Sequence, residues 1–305
     1  MSAGRILVIK LAALGDVVQA FGSFAAIRAH HPGAEVTLLT TPPYAGLLAR
    51  SPWVDGIWDD GRPAWTDLPA VWRLARRLRA ARFDRVYDLQ TSSRSSRYRL
   101  MVGRGAEWSG IASGASHPHA NPARDLMHTA ERQREQLEMA GIADFPAPAL
   151  DWLDDDISGL GLPGRFALMI PGASPGRPGK RWPVERFAAL AATLDLPVAV
   201  VGGPAEASLA AAIARQARVI DLTGRTSLAG LGAVARRAAF ALGNDTGPTH
   251  LAAAAGCPTL ALFGPESDPA LCAPRGRAVA VLRHPSLAAL EVAEVRTALA
   301  GLVAA

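Results

Sequence analysis

The stretch Phe240–Pro265 reads FALGNDTGPTHLAAAAGCPTLALFGP and carries the strongest structural signal in the chain. An apolar run leads into Gly243–Gly247, Pro248 and an Ala-rich segment follow, and a second apolar run closes the stretch. This order predicts a strand, a tight turn, a helix and a second strand. Pro at the first helical position has no N–H to satisfy, and the small residues before it leave the first helix N–H groups uncovered. We therefore predict a phosphate-binding turn at the carboxyl end of a parallel strand, with His250 as a further donor.

Length and composition indicate a folded protein of two domains. The 305 residues are 50% hydrophobic and 19% charged, which favours a large core and argues against disorder. No apolar stretch is long enough to span a bilayer, and the N-terminus lacks a signal-peptide pattern, so we expect a cytoplasmic protein. Two cysteines, Cys257 and Cys272, are too few for a disulfide framework or a Cys-based zinc site.

The chain is basic, with a formal net charge of +5. This positive charge suits an acidic partner. Three classes of partner fit: a phosphorylated small molecule, an anionic lipid surface and a nucleic acid. Arg-rich proteins from GC-rich genomes are often basic without such a partner, so the charge alone does not choose a function. Nucleic acid is the least favoured partner, because no groove-reading motif accompanies the charge.

Strands and helices alternate along both halves of the chain, which predicts parallel sheets covered on both faces. A polar loop is expected at 90–97, an irregular region at 103–124 and an interdomain linker at 144–164. The alternation restarts after the linker, so the two halves look like a distant internal repeat. Ligands of such sheets bind beyond the carboxyl ends of the strands, which makes four loops candidates for the site. They are 11–16, 89–97, 171–181 and 243–250.

A glycine-rich basic loop, GASPGRPGKRWP, occupies Gly172–Pro183. Its Lys180 can supply a point charge to a phosphate and its Arg181 a bidentate fork. The loop is not a Walker A motif, because Ser174 stands at the first glycine position and an arginine follows the lysine. A solvated basic loop is the alternative, but a second phosphate-type turn in the same half favours phosphate binding.

Two aspartates follow predicted strand ends and precede predicted helices. Asp16 is either a helix N-cap or a carboxylate presented to a ligand as a general base, and the local pattern does not decide between them. Asp245 is either a cap or a residue that orients the phosphate turn. Because a diphosphate would repel a carboxylate, we expect Asp245 to bond backbone or ribose atoms.

A second basic group lies in the first half and could hold an anionic acceptor, with a solvated loop as the alternative. The pair of histidines within it has no partner spacing that favours zinc. The group consists of Arg94, Arg97, Arg99 and Tyr98 after the strand end at Gln90, and of His117, His119 and Arg124 beyond it.

Four stretches together resemble glycosyltransferase family 9, the heptosyltransferase-like enzymes of lipopolysaccharide assembly. They are Ile6–Asp16, Asp88–Gln90 with Arg94, Gly172–Pro183 and Gly243–Pro265. The resemblance implies an α/β protein of the GT-B fold, with two facing Rossmann-like domains of parallel sheets. Residues 1–155 would bind the acceptor, residues 156–286 would bind the nucleotide-sugar, and a helix in 287–305 would pack back toward the first domain.

The resemblance also implies a reaction. A heptose or similar sugar would be transferred from an ADP-sugar to an anionic glycolipid, the lipopolysaccharide inner core. The transfer would invert the anomeric centre and need no metal. Asp16 would be the general base and Lys180 would stabilise the leaving diphosphate, without a cofactor. The implied donor-binding residues are Ser174, Lys180, Arg181, Asp245, Thr246, Gly247 and His250, and the implied acceptor-binding residues are Gln90, Arg94 and Arg97. Charge alone, and not the resemblance, predicts that the basic surface near Arg73–Arg82 makes a peripheral contact with the inner face of the cytoplasmic membrane.

The chain departs from the family pattern at three places, which concern the sugar and the acceptor more than the fold. Residues 11–13 are Leu-Ala-Ala where hydroxyl residues are usual, Ala20-Phe21-Gly22 stands where a Pro is common, and Glu266 follows Gly264-Pro265 where Thr is usual. Two other functions therefore stay open. One is a nucleotide-binding GT-B protein without transfer activity, and the other is a GT-B enzyme that handles UDP-sugars.

Overall fold

The computed structural model describes residues 4–174 and 176–304, and the chain divides into two compact units between Trp152 and Leu153. The division falls inside the expected linker, slightly before the boundary expected after Asp155. Within the described ranges, no helix is both long and apolar enough to cross a membrane.

The first unit is built on one six-stranded parallel sheet. Its strands are β1 (Arg5–Ile9), β2 (Glu35–Thr40), β3 (Gly56–Asp59), β4 (Arg85–Asp88), β5 (Glu107–Gly110) and β6 (His117–Pro118). They are arranged in the order β3-β2-β1-β4-β5-β6, so β1 lies in the middle, where Val8 pairs with Leu38 on one side and Tyr87 on the other. This position explains the continuous apolar run of β1, because helices cover both faces of the sheet.

Six α-helices accompany this sheet in the described part of the first unit. They are α1 (Leu14–Val18), α2 (Phe21–His30), α3 (Pro42–Leu48), α4 (Leu68–Ala80), α5 (Ser93–Val102) and α6 (Thr129–Met139). On one face, Leu7 and Ile9 of β1 share a core with Leu74 and Leu78 of α4 and with Trp108 of β5. The apolar residues of α4 recur at helical spacing, so one side of this helix enters the core and the other stays in solvent.

The expectation of a polar loop at 90–97 is wrong, since α5 begins at Ser93. Ser92 caps this helix by accepting the Ser95 N–H at 3.2 Å, and Ser95 Oγ accepts the Ser92 N–H at 3.0 Å. This reciprocal pair starts a helix whose first turn is polar and whose buried apolar residues, Tyr98, Met101 and Val102, lie in its second half. The region 103–124 is also more regular than expected, because it contains β5 and β6.

The second unit repeats the plan of the first. Its strands are β7 (Ala167–Ile170), β8 (Val198–Val200), β9 (Val219–Asp221), β10 (Phe240–Asn244), β11 (Thr259–Phe263) and β12 (Val279–Arg283). They form a six-stranded parallel sheet in the order β12-β11-β10-β7-β8-β9. Read from β9, this is the same third-second-first-fourth-fifth-sixth order as in the first unit, which agrees with the internal repeat expected from the sequence.

The helices of the second unit are α7 (Val184–Ala191), α8 (Ala207–Ala214), α9 (Leu228–Arg237), α10 (Gly247–Ala254), α11 (Pro269–Cys272) and α12 (Val292–Ala304). Val295 and Leu299 of α12 are buried in the core of this unit, together with Trp182 and Phe187. The further expectation, that the last helix packs toward the first domain, stays a prediction.

Both sheets have the strand order of Rossmann-like folds, which confirms the expected α/β class. In this order the chain changes direction across the sheet at one point, between β1 and β4 in the first unit and between β7 and β10 in the second. Ligands of such sheets bind at the carboxyl ends of those strands. The loops after β1, β4, β7 and β10 are the four candidate loops of the sequence.

Candidate active site

The predicted phosphate turn connects β10 to α10 in the second unit. Thr246 is the N-cap and Gly247 the first helical residue, so Pro248 stands at the second position and not, as expected, at the first. The Thr246 side chain makes no capping hydrogen bond to the helix backbone. The start of α10 therefore keeps the N–H groups and the positive end of the helix dipole that attract an anion.

Gly243 permits the close packing behind this turn. A Cβ at this position would lie 2.3 Å from Thr249 Oγ1 and 2.8 Å from Ile170 Cβ, and neither atom has room to move away. Thr249 Oγ1 donates a hydrogen bond to the Asn244 carbonyl at 2.7 Å. The turn is thus held against β10 by a bond that any larger residue at 243 would break.

Lys180, Asp245 and His250 form a cluster next to the turn. Lys180 Nζ lies 2.5 Å from Asp245 Oδ2, and His250 Nε2 lies 3.3 Å from Asp245 Oδ1. The Lys180 side chain is 13% exposed and the Asp245 side chain 5%. Burial opposes ionisation of Asp245, but hydrogen bonds from His250 and Lys180 outweigh it and lower the pKa of Asp245 to about 2.

The N-cap interpretation of Asp245 is wrong, since Thr246 holds that position. Instead, the carboxylate contacts the Lys180 ammonium and the His250 ring, so it fixes both where they can reach an anion at α10. An ammonium carries three donors, which lets Lys180 keep Asp245 and still bind a phosphate oxygen. A bond from Asp245 to a ribose stays a prediction.

The low pKa of Asp245 makes a testable contribution to stability. A carboxylate whose pKa is depressed on folding stabilises the fold above its unfolded pKa of about 3.8, and this stabilisation is lost as the pH falls toward 2. We expect Asp245→Asn to remove about 2 kcal/mol of pH-dependent stability across that window, as measured by urea unfolding at a series of pH values. Asp195→Asn, which changes an exposed carboxylate, is the control. An Asp245→Asn profile parallel to the wild type below pH 4 would contradict the assignment.

Asn244 holds the glycine-rich loop against the same strand end. This buried side chain accepts the Trp182 N–H at 3.0 Å and donates to the Pro171 carbonyl at 2.8 Å. Arg181 turns back on the loop, where Nη2 donates to the Ala173 carbonyl at 2.8 Å. Ser174 is exposed. The loop is therefore fastened at both ends, and Lys180, not Arg181, is the cation brought to Asp245.

Two carboxylates at this edge were not among the predicted site residues. Glu266 Oε1 accepts the Gly179 N–H at 2.8 Å, and a Cβ at Gly264 would lie 2.1 Å from the Gly179 carbonyl oxygen, so the two loops touch closely. Glu206 packs over the carboxyl ends of β7 and β8, where a Cβ at Gly202 would lie 2.7 Å from Glu206 Cβ. Gly179 and Gly202 were the signal, because a Cβ at Gly179 would collide with Glu266 and one at Gly202 with Glu206.

Asp16 lies in the first turn of α1, just beyond the carboxyl end of β1. Ala13 is the N-cap and Asp16 the third helical residue, so Asp16 does not stand at the N-cap position, but its side chain takes part in capping α1. Asp16 Oδ2 accepts the Ala13 N–H at 3.0 Å. This bond fixes the carboxylate at the sheet edge, in a partly exposed position.

Gln90 and Lys10 organise the backbone around Asp16. Gln90 Oε1 accepts the N–H groups of Leu11 at 2.9 Å and Ala12 at 3.2 Å, which ties the loop after β1 to the end of β4. Lys10 is buried, and its Nζ donates to the Leu89 carbonyl at 3.1 Å. Burial lowers the pKa of Lys10 to about 8, against the nearby charge of Asp16.

Charges from α6 also reach this edge. Burial lowers the pKa of Arg132, and Asp16 is among the neighbouring charges that act on it. Lys10 and Arg132 therefore place positive charge beside the Asp16 carboxylate. Neither residue was predicted to belong to the site. The sequence around Lys10 indicates the end of a buried strand, and the sequence around Arg132 indicates an exposed helix.

Arg94 and Arg97 both lie on α5, against the same tryptophan. Their guanidinium carbons lie 4.9 Å and 5.0 Å from the ring centroid of Trp65. Arg94 also donates to the Pro63 carbonyl, at 3.2 Å from Nη1. The two cations are thus held at the carboxyl edge of the first sheet, in the unit that contains Asp16 and Gln90.

The histidines predicted beside this group are engaged in the fold. His119 Nε2 lies 2.6 Å from Glu135 Oε2, and Arg124 Nε donates to His119 Nδ1 at 3.4 Å. His117 Nε2 lies 3.6 Å from Glu107 Oε2. These contacts favour a structural role for both rings.

The model of glycosyltransferase family 9 (heptosyltransferase) matches residues 71–296. The chain belongs to glycosyltransferase family 9. It is therefore a glycosyltransferase, as the resemblance of the four sequence stretches implied. The matched range includes Lys180 and the phosphate turn, and it begins beyond Asp16.

Relatives and solved structures agree with this membership. Lipopolysaccharide heptosyltransferase 1 of Escherichia coli strain K12 is 25% identical over 92% of this chain and 94% of its own length. A family 9 glycosyl transferase from Veillonella parvula superposes with a TM-score of 0.84 at 23% identity, covering 100% of this chain and 98% of its own. Heptosyltransferase WaaC of E. coli with ADP superposes with a TM-score of 0.75 at 24% identity. The match covers 97% of this chain and 99% of the WaaC chain. These structures establish the GT-B fold of the family 9 chain.

Proposed function

We propose that this glycosyltransferase moves a heptose from ADP-heptose to the inner core of lipopolysaccharide, with inversion and without a metal. One observation carries the proposal: a nearly buried lysine ammonium held by Asp245 beside the open start of α10. This pairing of a fixed cation with helix N–H groups suits a diphosphate. The choice of sugar and acceptor rests on relatives such as lipopolysaccharide heptosyltransferase 1.

The second unit is proposed to bind the donor. Lys180 and the N–H groups of Thr246 and Gly247 hold the diphosphate, with His250 assisting from the first turn of α10. Ser174 and Arg181 line the loop on the same side, and the Glu206 carboxylate is placed to accept hydrogen bonds from ribose hydroxyls. As the sugar leaves, negative charge grows on the diphosphate, and fixed donors stabilise that charge.

The first unit is proposed to bind the acceptor and supply the base. The Asp16 carboxylate takes the proton from an acceptor hydroxyl as its oxygen forms a bond to the anomeric carbon of the heptose. The bond from that carbon to the diphosphate breaks, and ADP departs with the electron pair. One displacement inverts the anomeric centre, so no covalent intermediate on the protein is needed.

The acceptor is an anionic glycolipid, and the cations of α5 suit it. Arg94 and Arg97 are proposed to bind its anionic groups, while Gln90 holds the loop that carries Asp16 and keeps its amide for the acceptor. Such an acceptor resides in a membrane. We therefore propose that the enzyme works at the cytoplasmic face of the inner membrane, in peripheral contact with it.

Calorimetric titration tests the donor assignment. We expect ADP to bind in preference to UDP and GDP, with the same affinity in EDTA and in magnesium, because Lys180 and α10 supply the positive charge. A preference for UDP would move the donor to another class of sugar nucleotide. Absence of binding by all three nucleotides would contradict the proposed diphosphate site.

Glu266 gives a prediction about donor affinity. Its carboxylate accepts the Gly179 N–H, a donor that a diphosphate oxygen could otherwise use, and its charge repels the diphosphate. We expect Glu266→Gln to bind ADP about 3- to 10-fold more tightly by calorimetry, since the amide oxygen still accepts that N–H. Glu185→Gln, an exposed carboxylate of α7, should leave the affinity unchanged. Weaker binding by Glu266→Gln would mean that the carboxylate supports the donor site.

A further inference from the structure

Large apolar side chains are exposed on the outer face of α4 and on the neighbouring end of α5. Leu68 is 70% exposed and Trp72 60%, and one helical turn separates them on the same face. Leu100 of α5 is 73% exposed. Single exposed apolar residues are common, but three of this size on two adjoining helices form a surface that needs an explanation.

Arginines surround these apolar side chains. The Arg76 guanidinium carbon lies 5.4 Å from the ring centroid of Trp72, and Arg79 Nη2 donates to the Leu100 carbonyl at 3.2 Å. Trp72, Arg76 and Arg79 line one surface depression, and Arg79, Leu100 and Arg104 line the next, so the surface is continuous. We call these residues the α4–α5 patch: Leu68, Trp72, Arg76, Arg79, Leu100 and Arg104.

Acidic side chains do not offset this charge within the two helices. Neither α4 nor α5 contains Asp or Glu, whereas α4 alone carries arginines at 73, 76, 77 and 79. The acid at the start of α4, Asp67, caps the helix by accepting the Ala70 N–H at 3.1 Å. The patch is therefore both apolar and strongly positive.

We propose that the α4–α5 patch docks on a bilayer that contains anionic lipids. Leu68, Trp72 and Leu100 enter the boundary between headgroups and acyl chains, and the arginines bind lipid phosphates. Tryptophan beside arginine on one face of a helix is the composition of helices that lie in a membrane interface. Charge complementarity selects this occupant: two copies of the chain facing each other would bring their arginines together.

The location of the patch suits the proposed function, on which this inference rests. The helices α4 and α5 start at the carboxyl edge of the first sheet, where Arg94 and Arg97 both contact the Trp65 ring and where Asp16 is also found. The patch reaches that edge at Leu68, the first residue of α4, so docking of the patch brings the edge near the lipid headgroups. A glycolipid acceptor can then reach the first unit without leaving the membrane.

Vesicle sedimentation of the full chain tests the inference. We expect binding to vesicles of phosphatidylcholine with 30% phosphatidylglycerol in low salt, and at least tenfold weaker binding to pure phosphatidylcholine or in 0.5 M NaCl. The triple variant Leu68→Ser, Trp72→Ser, Leu100→Ser should bind at least tenfold more weakly. The double variant Arg76→Gln with Arg79→Gln should also bind these vesicles at least tenfold more weakly than the wild type.

Matched variants control for hydrophobicity and for net charge. Val303→Ser removes an exposed apolar residue of the second unit, and Arg215→Gln with Arg218→Gln removes the same charge from that unit; both should bind vesicles like the wild type. Every variant should bind ADP like the wild type and keep its rate on a water-soluble, deacylated acceptor. This second readout separates docking from catalysis, so either proposal can fail alone.

Three results would overturn the inference. The first is equal vesicle binding by the wild type and the patch variants, and the second is absence of binding by the wild type. The third is a wild-type dimer in analytical ultracentrifugation that the triple variant abolishes, since the patch would then pair two copies of the chain.

Discussion

Asp16→Asn is expected to lower the turnover of heptosyl transfer about 10³-fold while leaving the Kd for ADP within about twofold of the wild type. The amide cannot take a proton from the acceptor hydroxyl, but its oxygen can still accept the Ala13 N–H that Asp16 Oδ2 accepts. The loop after β1 should therefore keep its geometry. The release of ADP from ADP-heptose in the presence of acceptor measures turnover, and calorimetry measures the Kd.

A matched variant shows whether the loss belongs to the base. Asp67→Asn makes the same chemical change at the start of α4, where the side chain caps a helix. It should keep wild-type turnover. If Asp16→Asn retains turnover within tenfold of the wild type, the base is another group and the proposed role of Asp16 is wrong.

Lys180→Met is expected to weaken ADP binding about tenfold and to lower turnover about 10²-fold. The ammonium is the cation that the fold fixes beside α10, and it is needed most when charge develops on the leaving diphosphate. Calorimetry gives the ADP affinity, and the ADP-release assay gives turnover. Arg177→Met, which removes an exposed charge from the same loop, should change neither quantity by more than about twofold.

Lys180→Met also leaves the buried Asp245 carboxylate without the ammonium it is paired with, which can destabilise the second unit. The double variant Lys180→Met with Asp245→Asn removes both charges and should recover stability. We expect it to remain slow in transfer, because the diphosphate still lacks its cation. Recovery of wild-type turnover in the double variant would mean that Lys180 serves the fold and not the reaction.

Local sequence was enough to predict the elements around the phosphate turn. Gly and Pro mark the ends of apolar runs between Phe240 and Pro265, so β10, α10 and β11 follow from signals within a few residues of each other. The similar alternation in both halves likewise predicted two parallel sheets. The strand order that produces the two switch points is a tertiary property, which the alternation permits but does not specify.

Sequence reasoning missed the helix α5 and the strand β12. The helix α5 depends on the Ser92–Ser95 cap and on burial of Tyr98 and Met101 against the sheet, which a polar sequence does not reveal. The strand β12 is a half-exposed edge strand whose pairing with β11 depends on the rest of the sheet. Tertiary packing decides both assignments.

The sequence indicates candidate site residues, but it does not indicate their contacts. Lys180 and Asp245 lie 65 residues apart, and nothing local to either indicates that they form an ion pair. Gln90 was predicted to bind the acceptor, but its oxygen holds the backbone of Leu11 and Ala12, 79 and 78 residues away. Such partners depend on which strand ends meet at the switch point, so only the folded chain reveals them.

The most direct test of the proposed function is to incubate the wild-type enzyme in EDTA with ADP-heptose and heptose-free inner-core lipopolysaccharide. Mass spectrometry of the lipid and NMR of the new linkage are then the readouts. We expect a gain of one heptosyl unit per acceptor, release of ADP, and an anomeric configuration opposite to that of the donor. An acceptor of unchanged mass, from a protein that binds ADP and is folded, would contradict the proposed heptosyl transfer.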